Sequence, residues 1–284
     1  MGQNLMESSN VSILTKLPKP VNFERHIILD YSLEMVWKWI NPAIFFNKLL
    51  GFKRNFAVSL EKGESQSIQL FNEVESVKTY VKNANANLMT PKVIYQFYKC
   101  KKEQEAIIIL PTQKSSKRST TEFSQKMNFP RQSNSPFLSL SDYIHPEGDT
   151  LALFVVTCGE NVNDHALNLK EEGQYKKSFI LQALALASAE ALGEMIHKDI
   201  REKWGILDDF DLSIKDTIKG KYRGKRYSFG YPACPNLEDQ LVIWELLQPQ
   251  KIGIELTDGF MMDPEASMSA IVFHHPEAKY FRTK

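Results

Sequence analysis

The sequence predicts an α+β fold, with long helices and separate groups of strands in one chain. Two segments carry apolar residues at helical spacing, and the longer one runs from about Glu172 to Lys203. Short apolar runs elsewhere have the composition of strands, but they do not alternate with helices as in a βαβ fold. The 284 residues suffice for one large domain or two small ones. With 43% hydrophobic and 24% charged residues, a disordered or fibrous chain is excluded.

The N-terminal part begins with a polar segment. Residues 1–20 end in Leu-Pro-Lys-Pro and are expected to be a leader that runs up to the first ordered element. Ser32 is a suitable N-cap for a helix that starts at Leu33, and Pro42 should end that helix near Ile40.

A second helix and a hairpin follow. The helix is predicted from apolar residues at helical spacing over about four turns. These are Ile68, Phe71, Val74, Val77 and Val81. The runs Val93–Phe97 and Ala106–Leu110 are rich in β-branched and aromatic residues and flank a charged turn, which favours a β-hairpin.

The middle of the chain contains a polar stretch, two predicted strands and the long helix. Residues 112–135 are rich in Ser, Thr, Gln, Lys and Arg and are expected to form a basic, solvated loop. Strands are predicted at Phe137–Leu140 and Leu151–Thr157. In the long helix, alanines and Gly193 would let another element approach closely.

The C-terminal part is predicted to contain a short helix at Asp239–Leu247 and strands at Ile252–Leu256 and Ser267–His274. Before them, the stretch from Lys215 to Arg226 carries six positive charges against Asp216 alone. Such a stretch is either a docking surface for an acidic partner or a solvated loop, and the sequence leaves both open.

Composition also limits the function classes. A net charge of +1 excludes a broadly basic surface, so no nucleic-acid partner is expected. The apolar runs Leu151–Val156 and Ala106–Leu110 are far shorter than the roughly 20 residues of a membrane helix. The first residues lack the pattern of a secretory signal, and three scattered cysteines do not form a disulfide framework. A cytoplasmic protein without membrane contact is expected.

Common catalytic motifs are absent from the sequence. There is no Gly-x-Gly-x-x-Gly, no P-loop, no His-Glu-x-x-His and no Gly-x-Ser-x-Gly. His274 and His275 are adjacent and would point to opposite faces of a strand, which disfavours a shared metal. Cys234 has no evident base nearby in the sequence and is expected to be a buried structural thiol. No catalytic residue and no metal site are predicted.

The most informative segment runs from Arg226 to Pro235, with the sequence Arg-Tyr-Ser-Phe-Gly-Tyr-Pro-Ala-Cys-Pro. Gly230 permits a positive φ or a close approach of the backbone to a ligand, and two prolines fix the turn around it. An arginine beside such a turn suits the bidentate binding of a carboxylate. The segment therefore predicts an anion-binding side chain next to exposed backbone groups.

Three blocks in the last 60 residues together carry a family signature. The first is Arg226-x3-Gly-Tyr-Pro-Ala-Cys-Pro, the second is Thr257-x-x-Phe-x-Met-x-Pro-x-Ala-Ser-x-Ser, and the third is His275-Pro-x-x-Lys-Tyr-Phe281. They closely resemble the activation domain of cobalamin-dependent methionine synthase, which binds S-adenosylmethionine (AdoMet). Earlier segments resemble it too, among them Leu140-Ser-Asp-Tyr143 and the alanine-rich helix around Glu190. The resemblance covers residues 21–284 and implies a mainly antiparallel sheet flanked by long helices.

The resemblance implies a repair function. The family binds AdoMet, covers the cobalamin of methionine synthase and supports the reductive methylation of inactive cob(II)alamin to methylcobalamin. It implies AdoMet as the bound cofactor, with cobalamin contacted only when a partner module carries it. A flavodoxin-type protein is the implied electron donor. The homocysteine, folate and cobalamin modules are absent from these 284 residues, so a reactivation subunit that acts in trans is expected.

The resemblance also assigns site residues. It implies that Arg226 holds the AdoMet carboxylate, that the backbone from Ser228 through Gly230 to Tyr231 reads the nucleoside, and that Tyr280 and Phe281 flank the ligand. Tyr231 is also a candidate for the surface that faces cobalamin. The alternative for the three aromatic residues is ordinary core packing.

Three positions depart from the family pattern. The family commonly has acidic residues where this chain has Asn41, Leu186 and Gly220. Asn41 is expected at the amino-acid end of AdoMet, where an asparagine offers an acceptor but no charge. Asn41 and Gly220 keep open a non-catalytic regulatory module that binds AdoMet weakly. A reactivator of another corrinoid methyltransferase is a second alternative, which Arg226, Gly230 and Tyr280 also fit.

Overall fold

A computed structural model describes residues 9–84, 88–111, 124–209 and 212–283. Its centre is an antiparallel sheet of seven strands, and a separate two-stranded ribbon lies outside it. The sheet strands are β1 His26–Ile28, β2 Lys92–Glu103, β3 Ala106–Ile109, β4 Gln125–Asn128, β5 Asp149–Thr157, β6 Lys225–Tyr227 and β9 Ser267–Phe273. The ribbon pairs β7 Glu255–Leu256 with β8 Met262–Asp263.

The strand order in the sheet is β4-β3-β2-β5-β9-β6, with β1 beside one end of β2. The predicted hairpin is confirmed as β2 and β3, in which Glu103 is paired with Ala106. At the far edge, β6 pairs with β9 so that Arg226 lies opposite Val272. Strands β6 and β9, which hold parts of the first and second signature segments, are therefore neighbours in the sheet.

Strand β5 is apolar from Leu151 to Val156 because both faces of the sheet are covered there. Phe154 and Val156 belong to the core on the helical side, whereas Leu153 and Val155 belong to the core on the opposite side. A strand that is buried on both faces has no polar alternation, which explains the continuous apolar run in the sequence.

Seven α-helices lie within the described residues. They are α1 Leu33–Lys38, α2 Phe56–Glu61, α3 Ser65–Asn83, α4 Val162–Glu171, α5 Tyr175–Lys203, α6 Ile214–Ile218 and α7 Gln240–Leu247. A π-helix spans Ala43–Leu49, and 3-10 helices span Leu140–Tyr143, Leu237–Asp239 and Pro249–Ile252.

Helix α5 is the main helix of the first core. Its inner stripe is buried as predicted at Ile180, Leu184 and Ile200. A Cβ on Gly193 would lie only 2.6 Å from the Met268 side chain of β9, which explains the small residue at this close approach of helix and sheet. The helix is long and apolar enough to span a membrane, yet 72% of its apolar window is buried inside the protein. It is a core helix of this fold.

Several sequence predictions for helices hold with changed bounds. Helix α1 begins at Leu33 and is capped by Ser32, but it ends at Lys38, and Pro42 precedes a π-helix that the sequence did not indicate. Helix α3 buries the later part of its predicted stripe, whereas Ile68 and Phe71 remain partly exposed. Helix α5 begins at Tyr175 and not at Glu172, because Gly173 has a φ of +77° and separates it from helix α4, which the sequence did not predict.

The strand predicted at Phe137–Leu140 is wrong. Ser139 and Asp142 form a capping box, and this box starts a 3-10 helix at Leu140. The Asp142 carboxylate also accepts hydrogen bonds from Arg131 and Lys102, at 2.7 and 2.6 Å. The hydrogen bonds of Ser139 and Asp142 thus favour a helical turn here, although the neighbouring apolar residues are typical of a strand.

Two other predictions change in the structure. Within the predicted loop 112–135, residues 112–123 lie outside the described residues, and Gln125–Asn128 form strand β4 on the edge of the sheet. The strand predicted at Ile252–Leu256 is shortened to β7, because Pro249 begins a 3-10 helix that ends at Ile252.

The described part of the predicted leader, residues 9–20, has no helix or strand. It nevertheless contacts the domain, since the Ser12 carbonyl lies 3.0 Å from Nε2 of His275. Val21 then donates a backbone hydrogen bond to Lys203 at the end of α5.

Candidate functional site

A pocket of about 440 Å³ lies at the β6 edge of the sheet. Its lining comes from three places in the sequence: helix α5, the segment after β6, and the C-terminal segment. The lining includes Glu190, Arg226, Ser228, Tyr231, Tyr280 and Phe281. Five of the seven residues that the sequence assigned to an AdoMet site are therefore brought together here.

The β6 strand and the turn behind it shape one wall of the pocket. Arg226 is in the middle of β6, and the chain turns sharply after Phe229. Gly230 adopts a φ of +86°, and its N–H donates to the Cys234 carbonyl at 2.9 Å. Gly230 is not among the lining residues; it forms the turn that presents Tyr231 to the pocket.

The C-terminal segment forms the facing wall. The Tyr227 hydroxyl donates a hydrogen bond of 2.8 Å to the Lys279 carbonyl, and the rings of Tyr227 and Tyr280 are 5.6 Å apart. Phe281 packs against the core on this side of the sheet. Tyr231 and Tyr280 are about 60% exposed, so the core-packing interpretation is wrong for these two residues.

Helix α5 supplies two carboxylates to Arg226. The Nη1 atom of Arg226 donates to Oε2 of Glu194 at 2.6 Å, and the Nη2 atom of Arg226 lies 3.9 Å from Oε2 of Glu190. The side chains of Arg226 and Glu194 are nearly buried, whereas Glu190 is 57% exposed. The guanidinium therefore has one edge fixed against the helix.

Burial and charge shift the pKa values of these groups. Burial alone would lower the pKa of Arg226, but the negative charge of Glu194 raises it, so Arg226 stays charged. Burial raises the pKa of Glu190, with Arg226 opposing and Glu194 adding to the shift. The pocket thus presents a permanent cation beside an acidic side chain that solvent can reach.

Asn41 lies outside the set of side chains that line this pocket. Its Oδ1 accepts hydrogen bonds from the N–H groups of Ala43 and Ile44, at 3.0 and 3.4 Å, at the start of the π-helix. The amide therefore caps a helix in this structure. Of the other two departures, Gly220 ends helix α6 with a φ of +72°, and Leu186 lines a separate cavity with Phe179.

The basic stretch Lys215–Arg226 is not a uniformly charged surface. Lys221 pairs with Asp216, and the Arg223 Nε donates to the His274 carbonyl. The Lys225 Nζ donates to the carbonyls of Tyr222 and Gly224, and Arg226 faces the pocket. Of the six positive side chains in this stretch, those of Lys215 and Lys219 make no hydrogen bond or ion pair within the described residues, whereas the other four do.

The remaining candidate groups have structural partners. His274 Nε2 lies 2.7 Å from Oδ1 of Asp149, and His275 contacts the Ser12 carbonyl. The described ranges hold no cluster of three or more groups that could bind a metal. Cys234 is buried, and burial raises the pKa of its thiol, which disfavours a nucleophile.

Chemically, the pocket suits a ligand with a carboxylate and a flat or apolar body. Arg226 offers a charge-assisted contact, and the aromatic rings offer stacking surfaces. The family model for the activation domain of vitamin B12-dependent methionine synthase matches residues 32–284. The chain belongs to this family.

Curated relatives of this activation domain are methionine synthases. The chain is 33% identical to the methionine synthase of Mycobacterium leprae and 34% identical to that of Mycobacterium tuberculosis, each over 203 residues. These matches cover 66% of this chain and 16% or 17% of the relatives. The chain therefore spans about a sixth of the length of the relatives it matches.

A solved structure supports the fold of the activation domain. The crystal structure of the MetH reactivation domain bound to AdoHcy has a TM-score of 0.83 to this chain and is 24% identical in sequence. The match covers 94% of this chain and 83% of the other. The predicted α+β class and the mainly antiparallel sheet are confirmed.

Sequence reasoning missed the two acidic residues beside Arg226 in this activation domain. Glu190 and Glu194 are four residues apart in an alanine-rich, apolar part of α5, so they lie on one face of the helix. Two acidic residues at this spacing in a core helix could have indicated that a positively charged side chain packs against the face of α5 that carries them.

Proposed function

We propose that this chain binds AdoMet in the pocket at Arg226 and supports the reductive methylation of cobalamin in methionine synthase. The observation that carries the proposal is the convergence of Arg226, Tyr231 and Tyr280 from separate segments on one pocket of a methionine synthase activation domain. Residues 21–284 would act as one AdoMet-binding unit.

The pocket fits AdoMet in its charge and in its walls. Arg226 is the group for the carboxylate: Glu194 takes its Nη1, and its Nη2, 3.9 Å from the exposed Glu190, is the atom that a ligand carboxylate would reach. The backbone from Ser228 to Tyr231 offers polar groups for the nucleoside, and Tyr280 and Phe281 offer apolar faces. Its volume of about 440 Å³ lies within the range of about 300 to 1,000 Å³ that is usual for small-molecule pockets.

The reaction needs a methyl acceptor and an electron that this chain does not provide. One electron from a flavodoxin-type donor and the methyl cation of AdoMet would convert cob(II)alamin on a partner module to methylcobalamin and leave S-adenosylhomocysteine (AdoHcy). The chain's own part is to bind and orient AdoMet and to exclude water. Such a protein would act in trans, in the cytoplasm, on the cobalamin module of methionine synthase.

The exposure of Tyr231 and Tyr280 supports docking of a partner at this pocket. Both rings are about 60% exposed at the rim, where a second surface would cover them. Aromatic residues of this kind are typical of binding sites rather than of free surface. We assign Tyr231 to the side that faces cobalamin.

A reactivation assay tests the proposal. A methionine synthase truncated after its cobalamin module is oxidised to cob(II)alamin and mixed with this chain, reduced flavodoxin and methyl-labelled AdoMet. We expect label in methylcobalamin only when the chain is present, and little label with Arg226→Ala. Equal labelling without the chain would contradict the proposal.

A second candidate function is a regulatory module that binds AdoMet without supporting methyl transfer. One observation favours it: Asn41, where the family commonly has an acidic residue, caps a helix and does not line the pocket. Calorimetric binding of AdoMet without reactivation of methionine synthase would select this candidate. Labelling of a different corrinoid protein in the same assay would instead select a reactivator of another methyltransferase.

A further inference from the structure

Glu194 lies behind Arg226 and does not line the pocket. It is one helical turn after Glu190 on α5, and its side chain is 11% exposed. Its Oε2 accepts the 2.6 Å hydrogen bond from Arg226, whereas its Oε1 is buried and has no hydrogen-bond partner. Among the described residues, Glu194 is the one whose carboxylate lies within hydrogen-bond distance of the Arg226 guanidinium, since Glu190 is 3.9 Å away.

Two other basic side chains share a buried neighbour, His197, with Arg226. They are Lys225, which precedes Arg226 in β6, and Arg201 of α5, which is paired with Asp208 at 2.6 Å. His197 is fully buried in the same region, with no hydrogen bond to either ring nitrogen. Burial lowers the pKa of His197, and the positive charges of Arg201, Arg226 and Lys225 lower it further.

Tyr222 separates these cations. The Arg201 guanidinium lies 3.9 Å from the centre of its ring, the Lys225 ammonium lies 4.6 Å from it, and the His197 ring meets it edge to face. Arg201, Lys225 and His197 therefore pack around one ring, whereas the charged group hydrogen-bonded to the Arg226 guanidinium is the Glu194 carboxylate, at 2.6 Å. The attraction between these opposite charges holds the Nη1 edge of Arg226 against α5.

We infer that Glu194 is a positioning residue that holds Arg226 in the orientation needed to bind the carboxylate of the ligand. The inference rests on the proposed AdoMet site. Because Glu194 contacts Nη1, the edge that carries Nη2 lies on the side of Glu190, which lines the pocket and is 3.9 Å away. A ligand carboxylate would then meet a guanidinium whose orientation is already fixed, so less conformational entropy is lost on binding.

A positioning role predicts a selective effect on ligands that carry the carboxylate. We compare AdoHcy with 5′-methylthioadenosine, which has the nucleoside and the sulfur but no amino-acid end. In Glu194→Gln, the affinity for AdoHcy is expected to fall about tenfold or more, because a charge-assisted contact is lost or misplaced. The affinity for methylthioadenosine should stay within about twofold of the unmodified protein.

Glu202→Gln is the matched control. Glu202 is on the same helix and pairs with Lys198 at the surface, so the substitution makes the same charge change far from Arg226. Both affinities should remain within about twofold. In the double variant Arg226→Ala/Glu194→Gln, the loss for AdoHcy should equal that of Arg226→Ala alone, since Glu194 acts only through Arg226.

Glu194→Asp provides a second variant if the Gln form does not fold. It keeps the charge but withdraws the carboxylate by one methylene, so AdoHcy should weaken while methylthioadenosine does not. Unchanged or tighter AdoHcy binding in the folded variant, or an equal loss for both ligands, would overturn the positioning role. If the unmodified chain binds neither AdoHcy nor AdoMet, the proposed function fails as well, whereas failure of the variant alone leaves that function standing.

Discussion

The Tyr227 hydroxyl donates a hydrogen bond to the Lys279 carbonyl across 2.8 Å, and this bond joins the two segments that form the pocket. Tyr227 directly follows Arg226 in the sequence, and Lys279 directly precedes Tyr280. The bond between Tyr227 and Lys279 therefore also holds their chain neighbours, Arg226 and Tyr280, close together, although more than 50 residues separate the two segments. The relationship explains why two blocks of the family signature occur together in this fold.

Arg226→Ala should weaken AdoMet binding by about 10- to 150-fold, because a charge-assisted contact of about 1.5–3 kcal/mol is lost. The substitution also leaves Glu194 buried without its partner, so the free energy of unfolding should fall by about 3 kcal/mol. Calorimetry on the variant, at a temperature where circular dichroism shows it folded, measures the first effect. Unchanged affinity in the folded variant would remove Arg226 from the site.

Asn41→Asp tests the residue that the resemblance assigns to the amino-acid end of AdoMet. The aspartate keeps the two hydrogen bonds to Ala43 and Ile44, so the helix cap is retained. If Asn41 lies near the ligand ammonium, as the resemblance implies, the added negative charge should tighten AdoMet binding by about five- to tenfold, with a smaller gain at high salt. Affinity that is unchanged would show that Asn41 is a helix cap only, since it does not line the Arg226 pocket.

Asp142 should make the stability of the fold sensitive to acid. Burial alone would raise the pKa of Asp142, but hydrogen bonds from Arg131 and Lys102 hold that pKa well below its ordinary value of 3.8. Its pKa is thus lower in the folded state, so its contribution to stability is present above about pH 4 and is lost as the pH falls further.

Urea unfolding at a series of pH values checks this contribution. Asp142→Asn should lower the free energy of unfolding at pH 7 by about 3 kcal/mol, and the difference should shrink toward acid pH. Glu34→Gln, at an exposed pair with Lys82, is the control and should change little. A difference between Asp142→Asn and the unmodified protein that stays constant with pH would contradict the assignment.

The basic stretch should contribute to partner docking mainly through Lys215 and Lys219. The other four positive side chains of Lys215–Arg226 have partners within the fold. Reversing both residues to Glu should slow reactivation at low salt and reduce its salt dependence, because exposed charges steer association. An unchanged salt dependence would favour a solvated loop.

The sequence was informative where local chemistry determines structure. Ser32 predicted the start of α1, and the charged turn between Val93 and Leu110 predicted the hairpin of β2 and β3. The position of Arg226 beside a glycine turn was also readable, because Gly230 requires a positive φ. The expected grouping of Arg226 with Tyr231 and Tyr280 depended on the resemblance to a family.

Features that depend on distant partners could not be predicted. The capping box at Ser139 is stabilised through Asp142 by Arg131 and Lys102, and no local pattern announces those contacts. The pairing of Glu194 with Arg226 joins α5 to β6 across 32 residues. The sequence left a docking surface and a solvated loop open at Lys215–Arg226, and neither interpretation foresaw that folding directs Lys225 and Arg226 inward.

A calorimetric titration of the unmodified chain with AdoMet tests the central claim most directly. We expect saturable binding of one AdoMet per chain, and we expect added AdoHcy to compete for the same site. The binding should weaken by at least about tenfold in folded Arg226→Ala. Absence of saturable binding at millimolar AdoMet, or binding that is indifferent to Arg226, would contradict the claim that this pocket is an AdoMet site.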